Sequence, residues 1–201
     1  CVLPLNTSHQ SGNWSEITTW NCGRIPDHGA DVTIDSGDSV TLDSARSVGS
    51  MVILGSLAVS GSNPLNLAGS FIRSGVFTPG SGAVTFNGSG VQVIGGDATF
   101  NDLVVSPGVT LTTGSAITLL GSLVNFGVTQ ETRSLSSPGL QTFGLAGIGI
   151  DVTTRGSLSS LLVERHDASH PNAALSQQTG RWWYIGPTGS GYTANLPLPY
   201  A

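Results

Sequence analysis

Short runs of alternating apolar and polar residues, separated by glycine or serine, repeat along the chain from Val52 to Val128. Leu57–Val59, Leu65–Leu67 and Val91–Val93 are typical runs. Strands this short cannot build a core alone, and they become stable when successive copies stack on one another. The pattern therefore predicts an all-β solenoid of about five or six coils, each with two or three strands.

A longer repeat links two distant segments. Leu65–Phe77 and Ile117–Val128 share one frame, in which an alternating run is followed by Gly-Ser, a second apolar run and a final glycine. The segments start about fifty residues apart, which we interpret as two coils of about twenty-five residues each.

The composition changes along the chain and predicts three parts. In residues 1–43, Trp14 and Trp20 suit an aromatic cap over the exposed end of a solenoid, so we expect an N-terminal cap and the first coil there. Residues 44–165 are expected to form the coils. Residues 166–201 are richer in aromatics, and Pro197 and Pro199 bar a central strand position. This part predicts a C-terminal β extension, either a second cap or the start of a β-sandwich.

The composition also excludes some functions. Only 9% of the 201 residues are charged, the net charge is −5, and all seven basic residues are arginines. The chain lacks the electrostatic footprint of a nucleic-acid-binding protein, and it has no apolar run of about 18 residues that would predict a membrane span. A lysine-free surface rich in Ser, Thr, Asn and Gly favours an extracellular or cell-surface location.

Two cysteines, Cys1 and Cys22, bear on the N-terminus. In an oxidising compartment they can form one disulfide that ties the terminus down. A chain that begins on cysteine also suggests a processed terminus, either a signal-peptidase cut or a lipidated Cys1. These alternatives stay open.

Several motifs resemble a known group of proteins. Gly12–Ser15, Ile25–Pro26 and Asp31–Ile34 resemble the N-terminal region of large secreted, repeat-bearing bacterial surface proteins of the Bacteroidetes type. Phe77–Gln92, followed by Thr99–Val105, is similar to the coils of their right-handed parallel β-helices. The resemblance implies an exported adhesive, matrix or appendage protein with no particular active site.

The tail extends this resemblance. Arg181–Ile185 and Thr193–Leu196 are similar to the start of the Ig-like β-sandwich that often follows such helices. The resemblance thus implies a right-handed parallel β-helix with an N-terminal cap and a short C-terminal β extension.

Three groups of residues are candidates for chemistry, and each has a plainer interpretation. Aspartates crowd the N-terminal region and could hold calcium, or could serve turns by bonding their own backbone: Asp27, Asp31, Asp35, Asp38 and Asp43. A second group contains His166, Asp167 and His170. Histidine and aspartate both bind zinc, but this stretch has no helical pattern and no further ligand close in sequence, which favours a surface loop over a zinc site here.

A third group would serve a polysaccharide-cleaving β-helix. Asp97 and Asp102 could fall on neighbouring strand ends near Arg73, as paired acid and base groups require. Any chain with twelve carboxylates yields some such pair, so we expect no enzyme, no metal and no cofactor.

Two functions are compatible with the pattern. The first is an extracellular structural or adhesive protein that associates with itself head to tail into a surface filament or matrix, because a solenoid end with open strand edges is a template for the next subunit. The second is a carbohydrate-binding or polysaccharide-cleaving module of a larger secreted protein, with cell-surface glycans as partners. The residues that would make subunit contacts or stack on sugars are Trp182, Trp183, Tyr184, Tyr192, Leu196 and Leu198.

Overall fold

The computed structural model of the protein describes residues 5–21, 23–168 and 180–196. The described chain is all-β apart from one 3₁₀ turn, Ile17–Thr19. Its first seventeen strands are β1 (Leu5–Thr7), β2 (Gly12–Asn13), β3 (Asp31–Ile34), β4 (Ser39–Leu42), β5 (Arg46–Val48), β6 (Met51–Ile53), β7 (Ser56–Val59), β8 (Leu65–Leu67), β9 (Phe71–Arg73), β10 (Val76–Thr78), β11 (Ala83–Phe86), β12 (Gly90–Gly95), β13 (Ala98–Phe100), β14 (Asp102–Val105), β15 (Val109–Thr113), β16 (Ile117–Leu119) and β17 (Leu123–Asn125). The remaining six are β18 (Val128–Ser134), β19 (Gly139–Phe143), β20 (Ile148–Thr154), β21 (Ser160–His166), β22 (Trp182–Thr188) and β23 (Thr193–Asn195).

Strands β3 to β17 form a β-solenoid of about five turns, three strands to a turn, which confirms the predicted fold class. Strands of successive turns pair in parallel. They build a four-stranded sheet (β10-β7-β4-β2), a five-stranded sheet (β17-β14-β11-β8-β5), a two-stranded sheet (β13-β16) and, as far as β18, a nine-stranded sheet (β1-β3-β6-β9-β12-β15-β18-β21-β22). In the five-stranded sheet Val48 pairs with Leu67, Leu67 with Phe86, and Phe86 with Val105, so the chain advances 19 residues per turn there.

This step shows that the predicted fifty-residue repeat is wrong. Leu65–Leu67 lies in the five-stranded sheet, whereas Ile117–Leu119, with which the repeat aligned it, lies in the two-stranded sheet. The two segments therefore occupy different faces of their turns. They look alike because every strand in a solenoid obeys the same rule, one alternating run and then a tight corner.

Alternation within the strands places one apolar core along the axis of the solenoid. In β3 and β6 the buried residues are Val32, Ile34, Met51 and Ile53, and each lies next to its counterpart in the neighbouring turn. Three phenylalanines, Phe71, Phe77 and Phe100, meet inside the middle turns with ring centroids 5.1–5.6 Å apart. Two of the three pairs pack edge to face and the third is tilted, which are arrangements that aromatic rings favour in a core.

The N-terminal end of this core is covered by the chain itself. Trp14 and Trp20 are almost fully buried, with their rings edge to face at 4.7 Å. Trp14 donates its indole N–H to the Pro26 carbonyl at 3.0 Å, and Trp20 donates to the Trp14 carbonyl at 2.8 Å. Each ring thus covers the apolar core while its indole N–H makes a hydrogen bond, as expected of an aromatic cap.

The parallel stack ends earlier than the sequence suggested. Coils were expected to continue to residue 165, but from β18 onward the pairing of the nine-stranded sheet is antiparallel, β18 with β21 and β21 with β22. Strands β19, β20 and β23 form a separate antiparallel, three-stranded sheet. The expected tail strands do exist, and they pair with β21 and β20 of the same chain. Parallel and antiparallel strands alternate alike, so the periodicity could not mark this change.

A second apolar cluster lies between these antiparallel sheets. It includes Phe143, Ile150 and Val152 from one side and Leu161 and Val163 from the other. The loop between β19 and β20 joins the two cores, because Leu145 packs in the solenoid core while its neighbour Ala146 packs in the second cluster. Leu145 therefore plugs the C-terminal end of the solenoid.

Candidate functional site

The C-terminal half of the nine-stranded sheet turns a polar face outward. The strand register aligns Val93, Thr112, Gln130, Glu164 and Tyr184 in one row across five strands. A second row runs beside it along Val91, Thr110, Val128, His166 and Trp182. We call these two rows the outer face.

Side-chain contacts order the centre of the outer face. Gln130 donates to a carboxylate oxygen of Glu164 at 2.7 Å, and the other oxygen lies 3.4 Å from His166 Nε2. The imidazole of His166 stacks on the indole of Trp182, with centroids 3.8 Å apart and planes 2° from parallel. Three strands, β18, β21 and β22, thus bring an amide, a carboxylate, an imidazole and an indole into one continuous, ordered patch.

Tyr184 extends this patch at its edge. Its ring lies along Gly186 on the same strand, where an added Cβ would be 3.1 Å from the ring. The absence of a side chain at residue 186 lets the ring lie against the strand, and 52% of Tyr184 remains exposed. A ring held in this way offers a flat surface at little cost in side-chain entropy.

The other aromatic candidates of the tail are placed differently. Trp183, which alternates with Trp182, packs against the second apolar cluster and donates its indole N–H to the Ala146 carbonyl at 2.9 Å. Tyr192 packs against the same cluster, while Leu196 is 38% exposed. Leu198 lies outside the described residues, as do Cys1, Cys22 and His170.

The N-terminal aspartates serve turns and coil contacts. Asp27 accepts the Ser47 backbone N–H at 3.0 Å, Asp31 accepts that of Ser50 at 2.6 Å, and Asp35 accepts that of Ser36 at 2.8 Å. Asp38 accepts the Ser8 hydroxyl, and Asp43 accepts the backbone N–H of Ser15. Across residues 5–21, 23–168 and 180–196, no three His, Cys, Asp or Glu residues converge as a metal site would require.

Asp97 and Asp102 hold turns in the same way. Asp97 accepts the Ala116 backbone N–H at 2.8 Å, and Asp102 accepts that of Ser122 at 2.7 Å. Hydrogen bonds from Ser122 are the largest cause of a lowered pKa at Asp102. Each carboxylate bonds the following turn of the solenoid, so each has a structural role where a paired acid and base had been considered.

His166 closes strand β21 and does not lie in a loop, as the sequence had suggested. Asp167 bridges two guanidinium groups, accepting from Arg165 at 2.7 Å and from Arg181 at 2.7 Å. Burial alone would raise the pKa of Asp167, but these hydrogen bonds and charges outweigh it and the pKa is lowered. Arg165 also donates to the Leu145 carbonyl at 3.2 Å, which ties this ion pair to the solenoid plug.

Sequence reasoning missed Gln130 and Glu164. They lie 34 residues apart and meet only because β18 and β21 pair in antiparallel register. Four consecutive polar residues, Thr129–Thr132, follow Val128, so no alternation in the sequence marked this strand or its outward-facing side.

Fold and site together define a β-solenoid with a polar, partly aromatic sheet face. A family model for the G8 domain matches residues 19–132, which is more than half of the chain, and the chain belongs to that family. G8 domains are typical of extracellular proteins. The match spans all five turns and β18 as far as Thr132, so Gln130 lies inside it while Glu164, His166, Trp182 and Tyr184 lie beyond it.

Two further comparisons, with curated proteins and with solved structures, gave no match. Among the described residues no helix is long and apolar enough to cross a membrane.

Proposed function

We propose that this chain is a glycan-binding module of an extracellular or cell-surface protein, and that the outer face is its binding surface. The carrying observation is Tyr184, an exposed ring laid along Gly186, beside the hydrogen-bonded pair Gln130 and Glu164. Sugars present apolar C–H faces and hydroxyl edges. An aromatic ring bordered by fixed donors and acceptors complements both.

The length of the polar row also supports a polymeric ligand. The five strands of the outer face are neighbours in one sheet, and adjacent strands lie about 4.8 Å apart. The polar row from Thr112 to Tyr184 therefore extends for roughly 15 Å, enough for about three sugar rings in line. The side chains that would contact the sugar rings follow one another along the row as a hydroxyl, an amide, a carboxylate and a phenol.

A glycan array followed by calorimetry on the best polysaccharide tests the proposal. Tyr184→Ala and Gln130→Ala should each weaken binding by roughly tenfold. Phe126→Ala is the matched control, because Phe126 is an aromatic side chain of similar exposure that follows β17 in the five-stranded sheet. No binding to any glycan, or equal losses in all three variants, would reject the outer face as a glycan site.

The filament hypothesis has less support in the structure. It rested on open solenoid ends, and both ends of the core are covered by this chain, by Trp14 and Trp20 at one end and Leu145 at the other. Self-association and adhesion therefore stay predictions. Sedimentation velocity across a hundredfold concentration range tests them, and a species that stays monomeric throughout would contradict a head-to-tail polymer.

A further inference from the structure

Glu164 is the only acidic residue in the two rows of the outer face. It lies on β21, between Gln130 on β18 and Tyr184 on β22. His166 is the only residue of these rows that can carry a positive charge. The charge that the outer face presents to a ligand therefore depends mainly on one carboxylate.

Alternation along the strands keeps arginine away from the outer face. Three arginines belong to strands of the nine-stranded sheet, and each occupies an inward position: Arg73, Arg133 and Arg165. Arg181 precedes β22, and its guanidinium binds the Asp167 carboxylate at 2.7 Å. The remaining arginines lie outside this sheet: Arg24, Arg46 and Arg155. Since the chain has no lysine and a net charge of −5, an anionic ligand meets repulsion at this surface and no arginine that offsets it.

The carboxylate of Glu164 keeps capacity for further hydrogen bonds. Gln130 donates to one oxygen at 2.7 Å, while His166 Nε2 lies 3.4 Å from the other, beyond the ordinary hydrogen-bond distance. An ionised carboxylate accepts about four hydrogen bonds, and the Glu164 side chain is 22% exposed. A ligand that brings N–H donors and a positive charge is its natural complement.

Tyr184 adds a second group that attracts a cation. It is the direct cross-strand partner of Glu164, which places the two Cβ atoms about 5 Å apart. Its exposed ring presents a π face, and such a face attracts ammonium groups as well as the C–H groups of a sugar. An ammonium beside Glu164 is therefore within reach of both the carboxylate and the ring.

We propose that the outer face binds polysaccharides with free amino groups, such as polymers of hexosamine, in preference to neutral polysaccharides and to those with carboxylates or sulfates. This inference rests on the glycan-binding function proposed above and names its ligand class. The ammonium of one sugar donates to Glu164 while a sugar ring lies on Tyr184. A neutral sugar loses the charged hydrogen bond, and a uronic acid brings a like charge to Glu164.

A polysaccharide array that holds amino, neutral and acidic polymers of several linkages is the first test, with the whole chain as the probe. Binding should be strongest on the amino polymers. Strongest binding on neutral or acidic polymers would overturn this inference and leave the glycan site in place. Binding to no polymer would reject the glycan site, and this inference with it.

Two hexamers of the same β-1,4 linkage, one of glucosamine and one of glucose, measure the preference by calorimetry. The glucosamine hexamer should bind about tenfold more tightly. Raising the salt from about 20 mM to about 500 mM should remove most of this preference, because salt screens the contact with an exposed carboxylate. Equal affinities at low salt, or a preference that salt does not change, would contradict the proposal.

A pair of variants separates the Glu164 contact from a general attraction of polycations to an acidic chain. Glu164→Gln removes the charge and keeps the shape of the side chain, so the preference for glucosamine should fall to less than about twofold. Glu16→Gln is the matched control, because it removes the same charge at an exposed residue next to β2, and it should leave the preference unchanged. Equal losses of preference in the two variants, or none in Glu164→Gln, would overturn the proposal.

Discussion

The corners of the solenoid depend on glycines that lie against the backbone of the preceding turn, and Gly75 is the sharpest case. It lies between β9 and β10, where its N–H donates to the Ile53 carbonyl at 3.0 Å. A Cβ at this residue would lie 2.5 Å from the Leu54 carbonyl oxygen and still closer to that of Gly55. Since Cβ atoms in proteins keep at least 3.0 Å from other heavy atoms, Gly75→Ala must push one turn away from the next.

The clash has no cheap relief, because both obstructing oxygens belong to the backbone. The Gly55 carbonyl also accepts the ladder bond from Val76 N–H at 2.8 Å, and any shift lengthens that bond. Overpacking of this kind costs about 1–3 kcal/mol, and a strained or lost ladder bond adds about 1 kcal/mol. We expect Gly75→Ala to lower the free energy of unfolding by about 3 kcal/mol, measured by urea unfolding with tryptophan fluorescence.

Gly114→Ala is the matched control at the same corner two turns later. There β18 leaves more space, and the nearest atom to an added Cβ is the Thr132 oxygen at 4.0 Å. With no clash and no left-handed backbone to strain, this variant should stay within about 0.5 kcal/mol of the unmodified chain, or gain slightly from a stiffer unfolded state. Equal losses in the two variants, or no loss in Gly75→Ala, would refute close coil stacking as the reason for glycine.

Three further predictions concern the C-terminal plug, all read out by urea unfolding. Leu145→Ala should lower the free energy of unfolding by about 2–5 kcal/mol. The same substitution at the exposed Leu140 should change it by no more than about 0.5 kcal/mol. Burial raises the pKa of Glu131, although Arg133 and backbone N–H groups act to lower it, so protonation of Glu131 favours the folded state. As the pH falls from 7 to 5, the free energy of unfolding of the unmodified chain should therefore rise relative to that of Glu131→Gln. The pKa of Asp167 is lowered, so its charged form stabilises the fold. Asp167→Asn should therefore lower the free energy of unfolding by about 1–3 kcal/mol at pH 7, and this difference should shrink as the pH falls below 4 and Asp167 becomes protonated.

The sequence predicted the solenoid because each short run commits its own residues to one face. Leu65 and Leu67 are buried while Asn66 between them is half exposed, and the same holds for Val84, Thr85 and Phe86. Trp14 and Trp20 were likewise predicted as a cap, since bulky aromatic side chains suit the cover of an apolar stack's open end, and both are buried. These inferences need only local pattern and elementary burial.

The end of the stack and the outer face depended on pairing between distant strands. Whether β18 would pair in parallel with a following coil or antiparallel with β21 is decided by contacts such as Gln130 with Glu164, 34 residues away. Trp182 and Trp183 posed the same difficulty. Alternation places them on opposite faces, but only the position of β22 shows that Trp182 meets His166 while Trp183 meets the second core.

One inward row of the nine-stranded sheet explains why the coils stop where they do. The row begins with four apolar residues that stack in successive turns: Val32, Met51, Phe71 and Ile94. Its next two positions are polar, Thr113 and Glu131. The row becomes apolar again at Val163 and Ile185.

Glu131 is fully buried, and its two oxygens accept from Arg133 at 2.9 Å and from the Ala146 backbone N–H at 2.8 Å. A buried carboxylate is tolerated only where such partners exist, and another apolar coil would offer none. The loop that carries Leu145 and Ala146 supplies them. The buried carboxyl group of Glu131 and its need for hydrogen-bond partners therefore favour the plug over a sixth full turn, and tie the length of the solenoid to the strands that complete the outer face.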